Sequence, residues 1–153
     1  MDLESLYQEI ILDHYKHPRG RVLLAEPAAE SHQVNPTCGD EVTVQVALDA
    51  DGHLLVGYQG QGCSISQASA SVMSEMVAGA EPADADVVRR AFVELMHSKG
   101  AAEPDEDVLG DGVAFVGVAK YPARIKCALL PWMALQDAEA KAGIGLDQEE
   151  ATS

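Results

Sequence analysis

The sequence predicts a mixed chain in which one antiparallel hairpin is set among helices, and three observations predict it. Near the start, apolar residues recur at three- and four-residue spacing, the period of a helix with one buried face. An alternating run follows, joined to a second short apolar run through an Asp-Gly pair, the signal of a hairpin. From residue 64 onward the helical period returns. The 153 residues suit one domain. The reading assigns 1–145 to that domain and 146–153 to a polar, acidic tail predicted to be disordered.

Residues 3–16 are predicted helical, with Leu3, Leu6, Tyr7, Ile10, Ile11 and His14 on one stripe, and His17-Pro18-Arg19-Gly20 ends the helix. Residues 21–34 show no firm period and read as a surface loop, with 22–25 a candidate third strand. "NPTCGD" (35–40) places a cysteine on an Asn-Pro turn just before a strand. In that strand Val42, Val44, Val46 and Leu48 alternate with Thr43, Gln45 and Ala47, which predicts one buried face and one exposed face. Asp51-Gly52 turns the chain into "LLVGYQG".

Gly60 and Gly62 then permit backbone conformations or close approaches that a side chain would block. Ser64 is the expected N-cap of a helix with Ile65, Ala68, Val72, Met76 and Val77 on its apolar stripe, closed by Gly79. Residues 84–99 are predicted helical. An acidic loop carries a candidate helical turn near Val108. "VAFVGVA" (113–119) fits a strand or a short helix, and its helical neighbours favour the helix. The segment from Tyr121 to Gly143 reads as a last helix. Pro131 lies inside it and removes the N–H that would bond the carbonyl of Cys127, so a kink is predicted beside that cysteine.

Charge narrows the function. Twenty-five acidic against ten basic residues give −15, a surface that repels phosphate backbones and anionic membranes. No apolar run is long enough to span a bilayer, and the acidic, amphipathic start lacks the pattern of a signal peptide. These features predict a cytoplasmic protein, where thiols stay reduced. The 47% hydrophobic fraction supports a core without disulfides. Three cysteines with no CxxC pair then point to metal or thiol chemistry.

Cys38, Cys63 and Cys127 all fall at or near element ends, where side chains converge without disrupting a core. Asp40 adds an oxygen donor, and three thiolates with one carboxylate make the four donors of tetrahedral zinc. Cys63 also precedes a helix N-terminus, whose partial positive charge favours a thiolate. Cysteines are equally at home as buried packing groups, and the wide separations match no compact zinc-finger pattern, so spacing leaves both readings open. A lone histidine is more often a surface or capping group than a ligand, and this holds for all five here, His32 being the nearest to Cys38 in sequence. No histidine has the orienting context of a Cys-His dyad, and Gly60-x-Gly62 is followed by no Lys-Ser/Thr of a phosphate loop.

"LYQEIILDHYKHPRG", "NPTCGD", "GQGCSISQASASVM" and "RIKCALLPWMAL" together resemble the signature blocks of the IscU-like (NifU N-terminal-like) iron–sulfur assembly proteins, in their SufU branch. The resemblance runs from about residue 3 to residue 140. It implies an α+β fold, a small antiparallel sheet packed against several helices, with a metal site at one exposed end. It implies Cys38, Asp40, Cys63 and Cys127 as metal ligands. Lys126 stands where the scaffold branch usually has a histidine, and residues 80–112 supply the longer segment of the SufU branch.

That branch implies a zinc-dependent sulfurtransferase, in which Cys38 accepts persulfide sulfur from a SufS-type cysteine desulfurase whose histidine takes its place on zinc. A downstream iron–sulfur scaffold complex would receive the sulfur. The alternative within the family is a scaffold on which a [2Fe–2S] cluster is assembled. Arg124 matches a family arginine that would hold the partner or steady a persulfide anion, or else is an ordinary surface residue of the helix. Pro131 and Gly20 depart from the family pattern.

Overall fold

A computed structural model of the chain describes residues 2–144; the predicted tail lies outside the described residues. Helix α1 (Leu3–Lys16) is capped by the Asp2 carboxylate, which accepts from the Ser5 N–H. Three strands follow, β1 (Ala29–Asn35), β2 (Asp40–Leu48) and β3 (Leu54–Gln61). They form one antiparallel sheet in the order β1-β2-β3. The rest is helical: α2 (Ser64–Val77), α3 (Pro82–Met96), the short α4 (Glu106–Leu109), a 3-10 segment (Gly110–Lys120) and α5 (Pro122–Ala142). This is the expected α+β arrangement.

The predicted strand pair is present as β2 and β3, but residues 29–35 correct the surface loop, and 22–25 form no strand. The reason is polarity. The buried residues of β1 are Ser31 and Asn35, which an apolar period cannot register. Ser31 is satisfied from far away, donating to Asp137 of α5 at 2.7 Å. Residues 22–24 instead run along the sheet: the Val22 carbonyl accepts from the Tyr58 N–H, and the Leu24 N–H donates to Gln45 Oε1 at 2.8 Å. A Cβ on Gly57 would meet the Val22 carbonyl at 2.5 Å, so the close pass requires glycine there. This cover corrects the one-sided burial predicted for β2: Gln45 and Ala47 are buried with the valines, while Leu48, at the strand's end, is exposed.

Further corrections concern the helices. The cap of α2 is Cys63 rather than Ser64, and α2 is buried nearly all round rather than along a stripe, with Ser66, Ser69, Ser71 and Ser74 inside. On α1 the stripe keeps Ile11 and His14 buried and Tyr7 and Ile10 packed half-buried against the core, while Leu3 and Leu6 are exposed. As expected, Pro131 lies inside helix α5, and it is buried there. "VAFVGVA" is helical as expected, in the tighter 3-10 form.

The core lies between the sheet and helices α2, α3 and α5. Phe92 stacks on Trp132 with centroids 4.6 Å apart and meets Phe115 edge-on at 5.5 Å. The buried indole N–H of Trp132 donates to Ser69 Oγ at 3.0 Å, so no donor is stranded. Among the described residues no helix is long and apolar enough to cross a membrane.

One buried acid is left under strain. Glu139 of α5 is 6% exposed. Burial pushes its pKa up to about 7, against a smaller opposing pull from Arg89. A folded pKa above the unfolded value means the native state holds the proton more tightly. Stability is then fully present below the ordinary value of 4.5 and falls as pH rises toward 7. Glu139→Gln is expected to remove on the order of 2–3 kcal/mol of that decline. Urea unfolding of both proteins at pH 4.5 and pH 7.5 checks it; parallel pH dependences would refute it.

Candidate metal centre

The centre is assembled where the β1–β2 turn meets the starts of α2 and α5. Asn35 and Asp40 are paired across the two strands, so "NPTCGD" is the closed end of a hairpin. The Cys38 N–H donates to the Asn35 carbonyl at 3.2 Å, and Gly39 takes φ +70 with open space around it. That geometry leaves Cys38 exposed at the tip.

Asp40, the first residue of β2, is 2% exposed. Its Oδ1 accepts from the Cys63 N–H at 2.8 Å, and its Oδ2 lies 3.7 Å from Cys63 Sγ. No Lys, Arg or His among the described residues pairs with it, an unusual state for a buried carboxylate. Gly62 makes the approach possible. A Cβ there would stand 2.2 Å from Asp40 Oδ1, and its φ of +144 is one that side chains rarely adopt.

Cys63 is half-buried and caps α2, its sulfur accepting from the Ser66 N–H at 3.4 Å. Cys127 is buried in the second turn of α5, with its Sγ 3.4 Å from Cys38 Sγ. The amide of Asn35 points at it from 3.9 Å. Burial, then Asp40, Cys38 and Cys63, all push the Cys127 thiol far above its ordinary value.

The ligand atoms of Cys38, Asp40 and Cys127 thus lie within 4.8 Å of one another, and Cys63 adjoins them through Asp40. These donors fit a cation. Three sulfurs and a carboxylate are crowded together, and the carboxylate has no cationic partner among the described residues. A tetrahedral zinc at about 2.3 Å from each sulfur would hold sulfurs roughly 3.8 Å apart, close to the 3.4 Å between Cys38 and Cys127.

Of the four ligands expected from the sequence, the structure brings Cys38, Asp40 and Cys127 within 4.8 Å of one another and places Cys63 beside Asp40; the supports Asn35 and Ser66 carry no signal of their own in the sequence. Arg124 is exposed in the first turn of α5, its guanidinium 5.4 Å from the Tyr121 ring centroid. It lines a groove of about 510 Å³ with Leu3, Tyr7, Ile65 and Tyr121. It makes no hydrogen bond or ion pair with the four donors among the described residues. His32 is not brought into the centre; it bonds Thr43 at 2.8 Å on the exposed part of the sheet.

The family model for the NifU-like N-terminal domain matches residues 6–128. The chain belongs to that family. The zinc-dependent sulfurtransferase SufU of Bacillus subtilis (strain 168) is 41% identical over 141 residues, 92% of this chain and 93% of the relative. The iron–sulfur cluster assembly scaffold protein IscU of Streptococcus pyogenes serotype M1 is 37% identical, over 89% of this chain and 84% of its own. Among solved structures, FiSufU of Fervidobacterium islandicum AW-1 superposes with a TM-score of 0.77 at 34% identity, covering 90% of this chain and 98% of its own. The N-terminal part of a NifU-like protein from Brucella abortus gives 0.75 at 28%, covering 92% and 96%. The NifU-like fold is therefore shared along nearly the whole chain.

The burial gradient orders the thiols. In reduced, metal-free protein, alkylation is expected first at Cys38, then at Cys63, and at Cys127 slowest by about tenfold or more, since the thiolate is the reactive form. Peptide mapping by mass spectrometry after timed quenching checks the order; equal rates at Cys38 and Cys127 would contradict it.

Proposed function

We propose that the chain is a zinc-dependent sulfurtransferase of iron–sulfur cluster assembly that accepts sulfur from a cysteine desulfurase on Cys38. Iron–sulfur cluster assembly is the setting supported by its relatives. The finer role rests on one observation, the exposure of Cys38 at a hairpin tip while Asp40 and Cys127 are buried. One sulfur is open to a partner protein, and the donors around it are shielded.

Cys38, Asp40, Cys63 and Cys127 would hold the zinc. Bound there, zinc keeps its coordinated thiols deprotonated at neutral pH and brings no redox chemistry that would consume sulfane sulfur. The transfer itself is thiol exchange. The Cys38 thiolate attacks the terminal sulfur of the desulfurase persulfide. A sulfur–sulfur bond forms on Cys38, the corresponding bond on the desulfurase breaks, and the desulfurase thiolate leaves. Electrons balance without an external oxidant. Arg124, on its groove beside Tyr121, is assigned to hold the partner or the persulfide anion.

The second reading, a scaffold for a [2Fe–2S] cluster, is favoured by the 37% identity to the Streptococcus pyogenes scaffold protein. Metal content after anaerobic purification separates the two. Colourless protein with about one zinc per chain supports the sulfurtransferase, and brown protein with stoichiometric iron and sulfide supports the scaffold.

Sulfide release by the cognate desulfurase, with cysteine and a reductant, is expected to rise on adding the zinc-loaded chain and to return to the unstimulated rate with Cys38→Ala. Full stimulation by that variant would overturn the reading. Arg124→Ala is expected to raise the concentration of chain needed for half-maximal stimulation by about tenfold, with its zinc content unchanged. An unaltered titration curve would remove Arg124 from the interface.

A further inference from the structure

Two thiols lie in contact but in unlike surroundings. Cys38 Sγ and Cys127 Sγ are 3.4 Å apart. Cys38 is exposed on the turn between β1 and β2, and Cys127 is 3% exposed in α5. Joining them would shorten the gap to the roughly 2.05 Å of a sulfur–sulfur bond. The turn can supply that movement. The Cys38 N–H is held by the Asn35 carbonyl alone, and a Cβ on Gly39 would meet nothing within 4 Å. Cys127 is the fixed side, set in its helix with the Asn35 amide 3.9 Å from its sulfur.

Cys63 is placed differently. The donors within 4.8 Å of one another are Cys38, Asp40 and Cys127, without Cys63. The Cys63 sulfur faces Asp40 Oδ2 at 3.7 Å and accepts from the Ser66 N–H at 3.4 Å as the cap of α2. Leaving that place would uncap the helix.

We propose that Cys127 is a resolving thiol for Cys38: in the metal-free chain it expels the sulfur group that Cys38 has accepted and closes a Cys38–Cys127 disulfide, leaving Cys63 reduced. Under the sulfur-acceptor reading, on which this use of it rests, that group is a persulfide. Cys127 Sγ attacks Cys38 Sγ, and the bond from Cys38 Sγ to the terminal sulfur breaks. The terminal sulfur leaves with the Cys127 proton as hydrosulfide. The Cys127 sulfur is oxidised and the departing sulfur is reduced, so no outside oxidant enters. A dithiol reductant reopens the disulfide.

Proximity carries the step. Burial keeps outside reagents from Cys127, yet Cys38 is already against it. Their separation falls in the range of about 3–3.5 Å from which positioned groups react, and such pairs act at effective concentrations that reach about 10⁵ M. That offsets the weakness of a buried thiol as a nucleophile. A chain without its metal therefore cannot store sulfane sulfur. It releases the sulfur as hydrosulfide and stays closed until it is reduced.

The test needs no desulfurase. The reduced, metal-free full chain is mixed with one equivalent of the disulfide of thionitrobenzoate, which reacts first at the exposed Cys38. Release of two thionitrobenzoates per chain is expected, with no adduct retained, and peptide mapping is expected to find Cys38 joined to Cys127. Cys127→Ser, checked for folding by circular dichroism, is expected to release one and keep the adduct on Cys38. An adduct retained on wild-type Cys38 would overturn the proposal, as would a disulfide through Cys63 or a mixture of pairings. A failure of Cys38 to accept sulfur from a desulfurase would leave this result standing, so the two readings fail separately. Where the desulfurase does load Cys38, the metal-free chain without reductant is expected to release one hydrosulfide per chain and Cys127→Ser none. Persulfide that persists equally on both would overturn the persulfide step.

Discussion

The position of α2 governs the rest of the structure. It is buried on nearly every side, which an apolar helix would manage only at larger separations from its neighbours. Its serines allow the close approach, and their hydroxyls recover the hydrogen bonds that burial would otherwise forfeit. Ser69 donates to the Ala128 carbonyl of α5 at 2.5 Å and accepts from Trp132 of the same helix. Ser71 meets His14 of α1. Ser74 faces Gly20, where any Cβ would stand 1.9 Å from the hydroxyl. The departure at Gly20 is thus a packing requirement of this chain.

That packing is what makes a centre from residues far apart in sequence. Fixing α2 fixes the Cys63 N–H, which takes the Asp40 carboxylate and so holds the start of β2. Fixing α5 at Ala128 fixes its neighbour Cys127. Pro131 strips the Cys127 carbonyl of its usual helical donor, yet the helix continues. The Ser69 bond one residue along holds that turn from outside.

Elements that bury hydrocarbon were legible in the sequence: β2, β3, α1, α3, α5 and the existence of α2. Elements that bury polar groups were not. In β1 the inward residues are Ser31 and Asn35, and their partners, Asp137 for Ser31 and Cys127 for Asn35, lie on a helix about a hundred residues later. The serines of α2 were hidden for the same reason. Gly60 and Gly62 were readable as sites of close approach, and a Cβ on either would strike backbone or Asp40. His14 was read as part of an apolar stripe and as a residue closing the first helix, more readily a capping group than a ligand. Its partners come from α2 and the 3-10 segment, which no spacing rule connects.

The four donors are not held equally, and the inequality has a direction. Asp40 is tied by a charge-assisted bond to a helix N-terminus, worth about 1.5–3 kcal/mol, and by its place in the central strand. Cys127 cannot move without α5, and Cys63 cannot move without unwinding the first turn of α2. Cys38 hangs on a four-residue turn, with one backbone bond of 3.2 Å to Asn35 and a glycine beside it that touches nothing. Breaking such a neutral surface bond costs about 0.5–1.5 kcal/mol, and water replaces it. Any chemistry that requires one donor to swing out while three stay in place will therefore move Cys38, the donor whose displacement leaves the sheet, α2 and α5 where they are.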